Sequence, residues 1–452
     1  HGEGWAGDLA KQGIKDENVF EITTGVAITM LVKSANKQSV ADVSHREMTG
    51  SYEDKARLLT EPELPMEATQ VVLDSHHYFP FTPQGEAGND EYWTWPQVDT
   101  LFKASVDGIK TSRDGLVIAS TREGCRQKIL NFAGSNAGID DIERQFSVSA
   151  KGFDIRGAQR HLKKHFDEEL IHPILYRPFD IRYIYYDKEL ILSHRMNVMP
   201  SMFHKQAWSL VFASRLSSKG FDHVIACAAL CAHKCASHDI NSRMFPVVGL
   251  FRPLLAEERM MSNLSDGLLE TMPMGNEGSE VGRASEIGEY LYAVVNAPSY
   301  RSRYHESISQ DFPRAPLTTS SEFFTRLCEK GRALVNLHTL REAPPGDAFL
   351  FSGSNNDSLS SPSWKNNTLT IGNSSKITGV ERGVWEFRMC GYDVCKSWFS
   401  AGWKARIQRE GESLTKACVL QVRTMLWSIR ETIRIRQEID DVIGEFGGWP
   451  IT

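Results

Sequence analysis

Leu175-Tyr-Arg-Pro-Phe-Asp-Ile-Arg-Tyr-Ile-Tyr-Tyr186 is the stretch on which the reading of this chain turns. From Tyr176 onward its side chains alternate at the two-residue period of a β-strand. Aromatic and β-branched residues of this kind fill a pleated surface well. Pro178 has no amide to give a ladder and belongs at a strand start or edge. On an extended strand Asp180 and Arg182 share one face, and Arg177, Phe179 and Ile181 share the other. The arginines admit two readings. One is a cross-strand ion pair with aromatic packing; the other is a sheet edge that grips phosphates or reads guanine through a bidentate fork. Taken alone, the residues favour the first.

Working outward toward the C-terminus, apolar runs predict strands at 208–214, 223–230 and 243–250, and helices at 284–296, 299–308 and 321–338. Residues 353–379 are rich in Ser, Asn and Gly and read as a surface loop with short strands. Val419, Val422, Leu426, Ile429 and Ile433 recur at three and four residues, the apolar stripe of a long helix, with Arg423, Arg430 and Arg434 off the stripe. Toward the N-terminus, helices are expected near 156–169 and 121–134, with a strand at 115–120. Gly108-Ile-Lys-Thr-Ser-Arg-Asp-Gly115 reads as an ordered loop. An aromatic segment covers 92–102, and 61–91 is irregular. A helix is expected at 51–60, a mostly buried strand at 19–33, broken at Gly25, and a second strand at 39–46.

The 452 residues, 41% hydrophobic and 24% charged, suit a multi-domain globular chain and exclude a disordered tail or a coiled coil. No run of eighteen apolar residues occurs, so no helix is expected to span a bilayer. The first residue is His1, and nothing near it resembles a signal peptide, which reads as a chain entered in mid-gene. Eight irregularly spaced cysteines point to a reducing cytoplasm rather than a disulfide scaffold. Net charge is −6, yet 151–220 carries twelve Lys or Arg against seven Asp or Glu, and 404–436 eight against three. Each local excess of five is either a solvated face or part of a phosphate-binding surface.

His223, Cys227, Cys231, His233, Cys235 and His238 have donors enough for zinc but no second ligand pair of the usual spacing. On a strand through 223–230, Cys227 and Cys231 stand too far apart for one ion, and buried free cysteine packs as a small hydrophobe. The bland reading is favoured. Lys110, Arg113 and Asp114 sit in a loop that is either a phosphate contact or a turn held by Asp114. There is no Gly-x-Ser-x-Gly, Walker lysine loop or His-Glu-x-x-His, so no self-contained enzyme is indicated.

Four blocks, in order, resemble the C-terminal half of type ISP restriction–modification proteins and their N6-adenine methyltransferase relatives. They are Phe20-Glu-Ile-Thr-Thr-Gly-Val-Ala-Ile28; Leu175–Tyr186; Tyr290-Leu-Tyr-Ala-Val-Val-Asn-Ala-Pro-Ser-Tyr-Arg-Ser-Arg-Tyr304 with Asp311-Phe-Pro-Arg-Ala-Pro-Leu317; and Val384-Trp-Glu-Phe-Arg-Met-Cys-Gly-Tyr-Asp-Val-Cys-Lys-Ser-Trp398. The resemblance implies an α/β remnant of a Rossmann-like methyltransferase with its connector over 1–150. A mixed α+β target-recognition domain would follow over 151–452, closed by the long C-terminal helix. It implies sequence-specific recognition of duplex DNA that presents an adenine, flipped from the stack, for N6 methylation by S-adenosylmethionine. The family's cofactor loop and Asn-Pro-Pro-Tyr motif are missing here. Asn296-Ala-Pro-Ser-Tyr300 lacks the adjacent prolines and takes no catalytic role. The chain is therefore expected to bind no cofactor and to be silent alone. Its partners would be double-stranded DNA and an upstream methyltransferase, with helicase and nuclease parts further upstream. Arg177, Arg182, Arg195, Lys205 and Arg215 are the expected DNA contacts, with Lys110 and Arg113 next. The alternatives are a specificity subunit acting in trans and, less favoured, a zinc enzyme using 223–238. The family offers no metal at that cluster.

Overall fold

A computed structural model describes residues 17–20, 27–33, 41–61, 68–71, 90–214, 221–251, 257–265, 267–273, 278–346, 348–354, 357–403 and 416–451. The chain forms two compact units, 1–93 and 94–452. Residues 94–150, grouped by sequence with the methyltransferase remnant, lie in the second unit. No helix among the described residues is long and apolar enough to cross a membrane.

In the first unit, strand β1 (Val43–His45) pairs antiparallel with β2 (Thr69–Val71), Val43 opposite Val71. Helix α1 (Tyr52–Thr60) starts at Ser51, whose hydroxyl accepts from the Asp54 amide at 3.2 Å. The buried strand expected through 19–33 is not found in its described part. Residues 27–33 have no regular structure, and Ile28, Met30, Leu31 and Val32 are exposed, Val32 by 92%. Among the described residues no strand hydrogen-bonds to them, because β1 takes β2 as its partner. Residues 21–26 and 34–40 of the expected hairpin lie outside the described residues, and those described here do not form a Rossmann-like sheet.

The second unit is built on two sheets that share a corner. One contains β3 (Val106–Asp107), β7 (Trp208–Ala213), β8 (Val224–Cys227), β10 (Ser242–Phe251) and β11 (Arg259–Ser262), in the order β11-β10-β7-β8 with β3 also on β10. The other runs β4-β6-β5-β9, from β4 (Ile118–Ala119), β5 (Ile171–Arg177), β6 (Asp180–Tyr185) and β9 (Leu230–Cys231). The chain leaves the first sheet after Cys227 and enters the second at Leu230. Beside it, Gly108 makes the same crossing from β3, and the Ile109 amide donates to the Cys231 carbonyl at 2.8 Å. A Cβ at Gly108 would lie 2.6 Å from the backbone of Ala232, so only glycine allows the two crossings to touch. Helices α2 (Arg122–Gly134) and α3 (Ile155–His165) meet at the buried Gln159, whose amide donates to the Phe132 carbonyl at 2.7 Å. The serine-rich 353–379 region holds an antiparallel sheet of β12 (Phe351–Ser352), β13 (Leu359–Lys365), β14 (Thr368–Gly372) and β15 (Lys376–Thr378), in the order β12-β15-β14-β13.

Three helices, α4 (Glu280–Asn296), α5 (Ser321–His338) and α6 (Lys416–Glu445), pack together. The helix expected at 299–308 is broken at Tyr304 into Pro298–Arg303 and His305–Gln310. On α6, Val419, Val422, Leu426 and Ile429 are buried as their spacing predicts, but Ile433 is 41% exposed. The 3.6-residue period rotates Ile433 off the stripe, and Thr432, Ile435, Ile439 and Val442 carry it on. Where α5 crosses α4, a Cβ at Gly331 would stand 1.9 Å from the Glu289 carbonyl oxygen.

A buried chain of hydrogen bonds ties the three helices to sheet edge β8. The Ala226 amide donates to the Tyr292 hydroxyl at 3.0 Å, and that hydroxyl donates to His338 Nδ1. His338 Nε2 donates to Thr432 Oγ1 at 2.9 Å, and Thr432 donates to the Ser428 carbonyl at 2.6 Å. With Nδ1 accepting, this direction requires a neutral imidazole. Burial, with Arg436 and Arg301 adding, pushes His338 well below its ordinary value.

Two outcomes follow for stability in urea. Gly331→Ala should cost about 3 kcal/mol, because the helices cannot part without opening the core. Protonation of His338 is favoured in the unfolded chain, so stability should fall as pH drops below 6.5, by up to about 1.4 kcal/mol per pH unit. His338→Gln should flatten that part of the pH profile.

Candidate nucleic-acid interface

The decisive stretch is a hairpin rather than one strand. Arg177 on β5 faces Asp180 on β6, leaving Pro178-Phe179 as the turn. Proline presets its own φ there, and Phe179 takes a φ of 60°. That conformation costs about 1 kcal/mol or more in a residue other than glycine. Burial of the ring offsets it: Phe179 is 2% exposed and meets His338 edge-on, with centroids 5.3 Å apart. The turn is thereby docked on the helix layer.

Asp180 and Arg182 share a face, as strand alternation predicts. Arg182 Nη2 and Nε reach Asp180 Oδ2 at 2.7 and 3.0 Å, and the guanidinium lies 3.9 Å from the Tyr176 ring centroid. Burial opposes its charge, but the Asp180 carboxylate outweighs that and raises its pKa. The Tyr176 hydroxyl donates to Asp114 Oδ2 at 2.8 Å, and Thr111 donates to Asp114 Oδ1. Burial, then Asp114, pushes the Tyr176 phenol up to about 12. Asp114 therefore ties the 108–115 loop to the hairpin as well as holding its own turn.

The other expected contacts fall into different situations. Arg113 donates to the Leu190 and Gly152 carbonyls at 3.1 and 3.4 Å and covers the Phe153 ring at 4.0 Å. Burial lowers its pKa. It braces the loop to the chain beyond β6. Arg195, at φ 59°, pairs with Asp107 at 3.8 Å. Lys110 is exposed on the crossing segment, where its backbone pairs with Ser193. Lys205 is exposed after the Met199–Phe203 turn, remote in sequence from the hairpin tip. Arg215 lies outside the described residues. Arg177 is distinct. Its guanidinium lies 5.6 Å from the Tyr176 ring centroid and 5.4 Å from that of Tyr392, and among the described residues it has no hydrogen-bonding or carboxylate partner. Tyr392 itself donates to the Lys234 carbonyl at 2.6 Å. Sequence reasoning missed Tyr176, Tyr392 and Lys234 as parts of this surface, although the first two lie in quoted blocks.

The sheet corner sets the residues of the Cys/His cluster on two different strands and the segments beside them. Cys227 belongs to β8 and Cys231 to β9, and the Cys227 thiol donates to the Ala229 carbonyl at 3.1 Å. A hydrogen bond with the free thiol of Cys235, together with burial, pushes the Cys231 thiol well up. His223 pairs with Asp222 at 3.2 Å and His238 with Asp239 at 3.0 Å. Among the described residues no three His, Cys, Asp or Glu gather as metal ligands.

The two arginines should respond oppositely to truncation. Asp180→Asn strips a buried guanidinium of its carboxylate and should cost about 3 kcal/mol in chemical denaturation. Arg177→Ala should change stability by no more than about 0.5 kcal/mol.

A comparison with curated proteins finds no match. Among solved structures, the DrdV–DNA complex is similar at 17% identity with a TM-score of 0.61, covering 88% of this chain and 43% of that one. The Type ISP enzyme LlaBIII bound to DNA aligns at 15% identity and TM-score 0.57, over 85% and 26%. A nuclease-deletion mutant of the Type ISP enzyme LlaGI with a DNA substrate mimic aligns at 16% and 0.57, over 92% and 40%. The chain thus spans less than half the length of each. The Type ISP C-terminal specificity domain matches residues 100–437, three quarters of the sequence and nearly all of the second unit, and the chain belongs to that family.

Proposed function

We propose that this chain recognises duplex DNA by sequence within a Type ISP restriction–modification enzyme. Further, the complete polypeptide methylates adenine N6 with S-adenosylmethionine at a site the recognition domain serves. The observation that carries the first part is Arg177. It stands at the tip of a hairpin whose turn is buried, flanked by two tyrosines, with its guanidinium N–H groups uncommitted. A guanidinium held that way has little freedom left to lose on binding and keeps the fork that matches phosphate or guanine. Lys234 follows on the same surface, its carbonyl accepting from the Tyr392 hydroxyl that flanks Arg177. The DNA in the three similar structures and the family's description as a specificity domain agree with this reading.

The described residues do not suit the cofactor. Apart from β5 with β9, their strand pairs are antiparallel, whereas a Rossmann-like site needs a parallel sheet with a glycine-bearing turn. S-adenosylmethionine and the base-flipping chemistry are therefore assigned to the rest of the polypeptide. Within the recognition surface, Arg177 and Lys110 are the primary contacts and Lys205 and Arg195 peripheral ones, while Arg215 keeps only the assignment its sequence suggests. Arg182 and Arg113 act as positioning residues.

Fluorescence anisotropy with duplex DNA across a salt series tests the proposal. Binding should weaken steeply with salt as phosphate contacts release counterions. Arg177→Ala should reduce affinity about tenfold and, if it contacts phosphate, lower the salt slope by about one. Binding indifferent to salt, or unchanged in the variant, would overturn the assignment.

A further inference from the structure

Away from the hairpin, two half-buried arginines have no carboxylate at ion-pair distance among the described residues. Arg301 follows α4, in the short helix Pro298–Arg303, and Arg436 lies on α6. Both donate to one acceptor, Asn296 Oδ1, from Nη2 at 3.0 Å and Nη2 at 2.9 Å respectively. Arg301 Nε adds a bond to the Val295 carbonyl at 2.9 Å. Each guanidinium carries five N–H donors, and these three bonds are all that the pair makes among the described residues. Arg436 Nε is fully buried and has no partner. Among the described residues no carboxylate lies within 4 Å of either group. The nearest in influence is Asp222, whose charge offsets part of theirs from beyond that distance.

Such an arrangement is unfavourable as it stands. Removing a cation from water costs several kcal/mol unless an anion or a full set of acceptors replaces the water. Here a second cation sits on the same acceptor. Arg436 responds accordingly, its pKa brought down to about 9 by burial first and Arg301 second. Each guanidinium is also backed by a ring, Phe221 at 5.5 Å for Arg301 and Phe387 at 5.4 Å for Arg436. Aromatic faces hold the cations in place but accept no conventional hydrogen bond.

We infer that Arg301 and Arg436 form a seat for one phosphate-type oxyanion, bound by the N–H groups that Asn296 leaves free. Planar forks side by side match the tetrahedral oxygens of such a group better than any single carboxylate. The inference concerns a site other than Arg177 and does not rest on the DNA reading. The phosphate has two possible sources, a DNA backbone or free phosphate. The local geometry gives the first a route: a Cβ at Gly391 would lie 3.4 Å from His223 Nε2 and 3.3 Å from His238 Nδ1. The next residue, Tyr392, flanks Arg177.

Thermal unfolding of the full chain in sodium phosphate against sodium chloride at equal ionic strength provides the test, with Arg436→Met beside wild type. Wild type should gain a saturable rise in Tm with phosphate. Arg436→Met should be more stable than wild type in chloride and lose the saturable component. A rise of the same size in both proteins, or none in wild type, overturns the seat. Should Arg436→Met not fold, the 31P linewidth of inorganic phosphate titrated with wild type decides: saturable broadening supports the seat and its absence overturns it. Where broadening occurs, reversal by a short duplex identifies a DNA phosphate as the natural occupant, and persistence identifies free phosphate.

Discussion

The orientation of one neutral histidine is the constraint on which the second unit is arranged. His338 accepts from Tyr292 on one side and donates to Thr432 on the other, joining α4, α5 and α6 in a single direction of hydrogen bonding. The same Tyr292 oxygen satisfies an amide of β8, an edge strand whose N–H would otherwise be buried and unpaired. The ring of His338 then supports Phe179, the strained residue of the hairpin turn. A sheet edge, three helices and a turn thus share one buried side chain. Polar groups set so deeply stabilise only when every member is satisfied, so the arrangement specifies how these elements meet as much as how strongly.

From that anchored turn, the hairpin sorts its charges. Arg182 is committed to Asp180 and stacked on Tyr176, and Tyr176 is committed to Asp114. Those residues make a stiff platform and have little left to offer a ligand. Arg177, across the same hairpin, has the rings and none of the carboxylates. A recognition surface needs this division, because an arginine already neutralised by a bidentate partner gains little from a phosphate. A wholly unrestrained one would lose more side-chain entropy on binding.

Much of this was legible in the sequence, and what was not has physical causes. Strands β7, β8 and β10 and helix α6 follow from unbroken apolar runs and from three-and-four spacing, signals that depend on neighbours along the chain. That Asp180 and Arg182 share a face was legible for the same reason, but their ion pair lies within one strand, where a cross-strand pair was expected. The turn at Pro178-Phe179 was not, because it requires a positive φ at a phenylalanine, and the compensating burial comes from His338, distant in sequence. Which cation is free depends equally on long-range partners: Arg113 is claimed by Leu190 and Gly152, and no local pattern announces that. The cysteine cluster looked like a ligand set because Cys227 and Cys231 are close in number, whereas the chain changes sheets between them. Residues 27–33 looked like a buried strand because composition reports a preference for burial, not the presence of a partner.

The two unpaired basic features stand in different relation to water, and that difference argues for different roles. Arg177 sits among rings at a hairpin tip, where losing or gaining a phosphate changes little in the protein's own energy. Arg301 and Arg436 are half-buried at the helix layer, where the charge that Asp222 leaves uncompensated is a standing cost to the fold. Groups of the first kind suit contacts made and broken along a sequence during search. Groups of the second kind suit a ligand whose binding is coupled to stability, since an anion that neutralises them stabilises the folded state by mass action. Tyr392 flanks Arg177, and Gly391 beside it faces His223 and His238. The hairpin that carries both residues, Arg388–Asp393, is the element through which occupancy of the Arg301–Arg436 pair would reach the recognition surface.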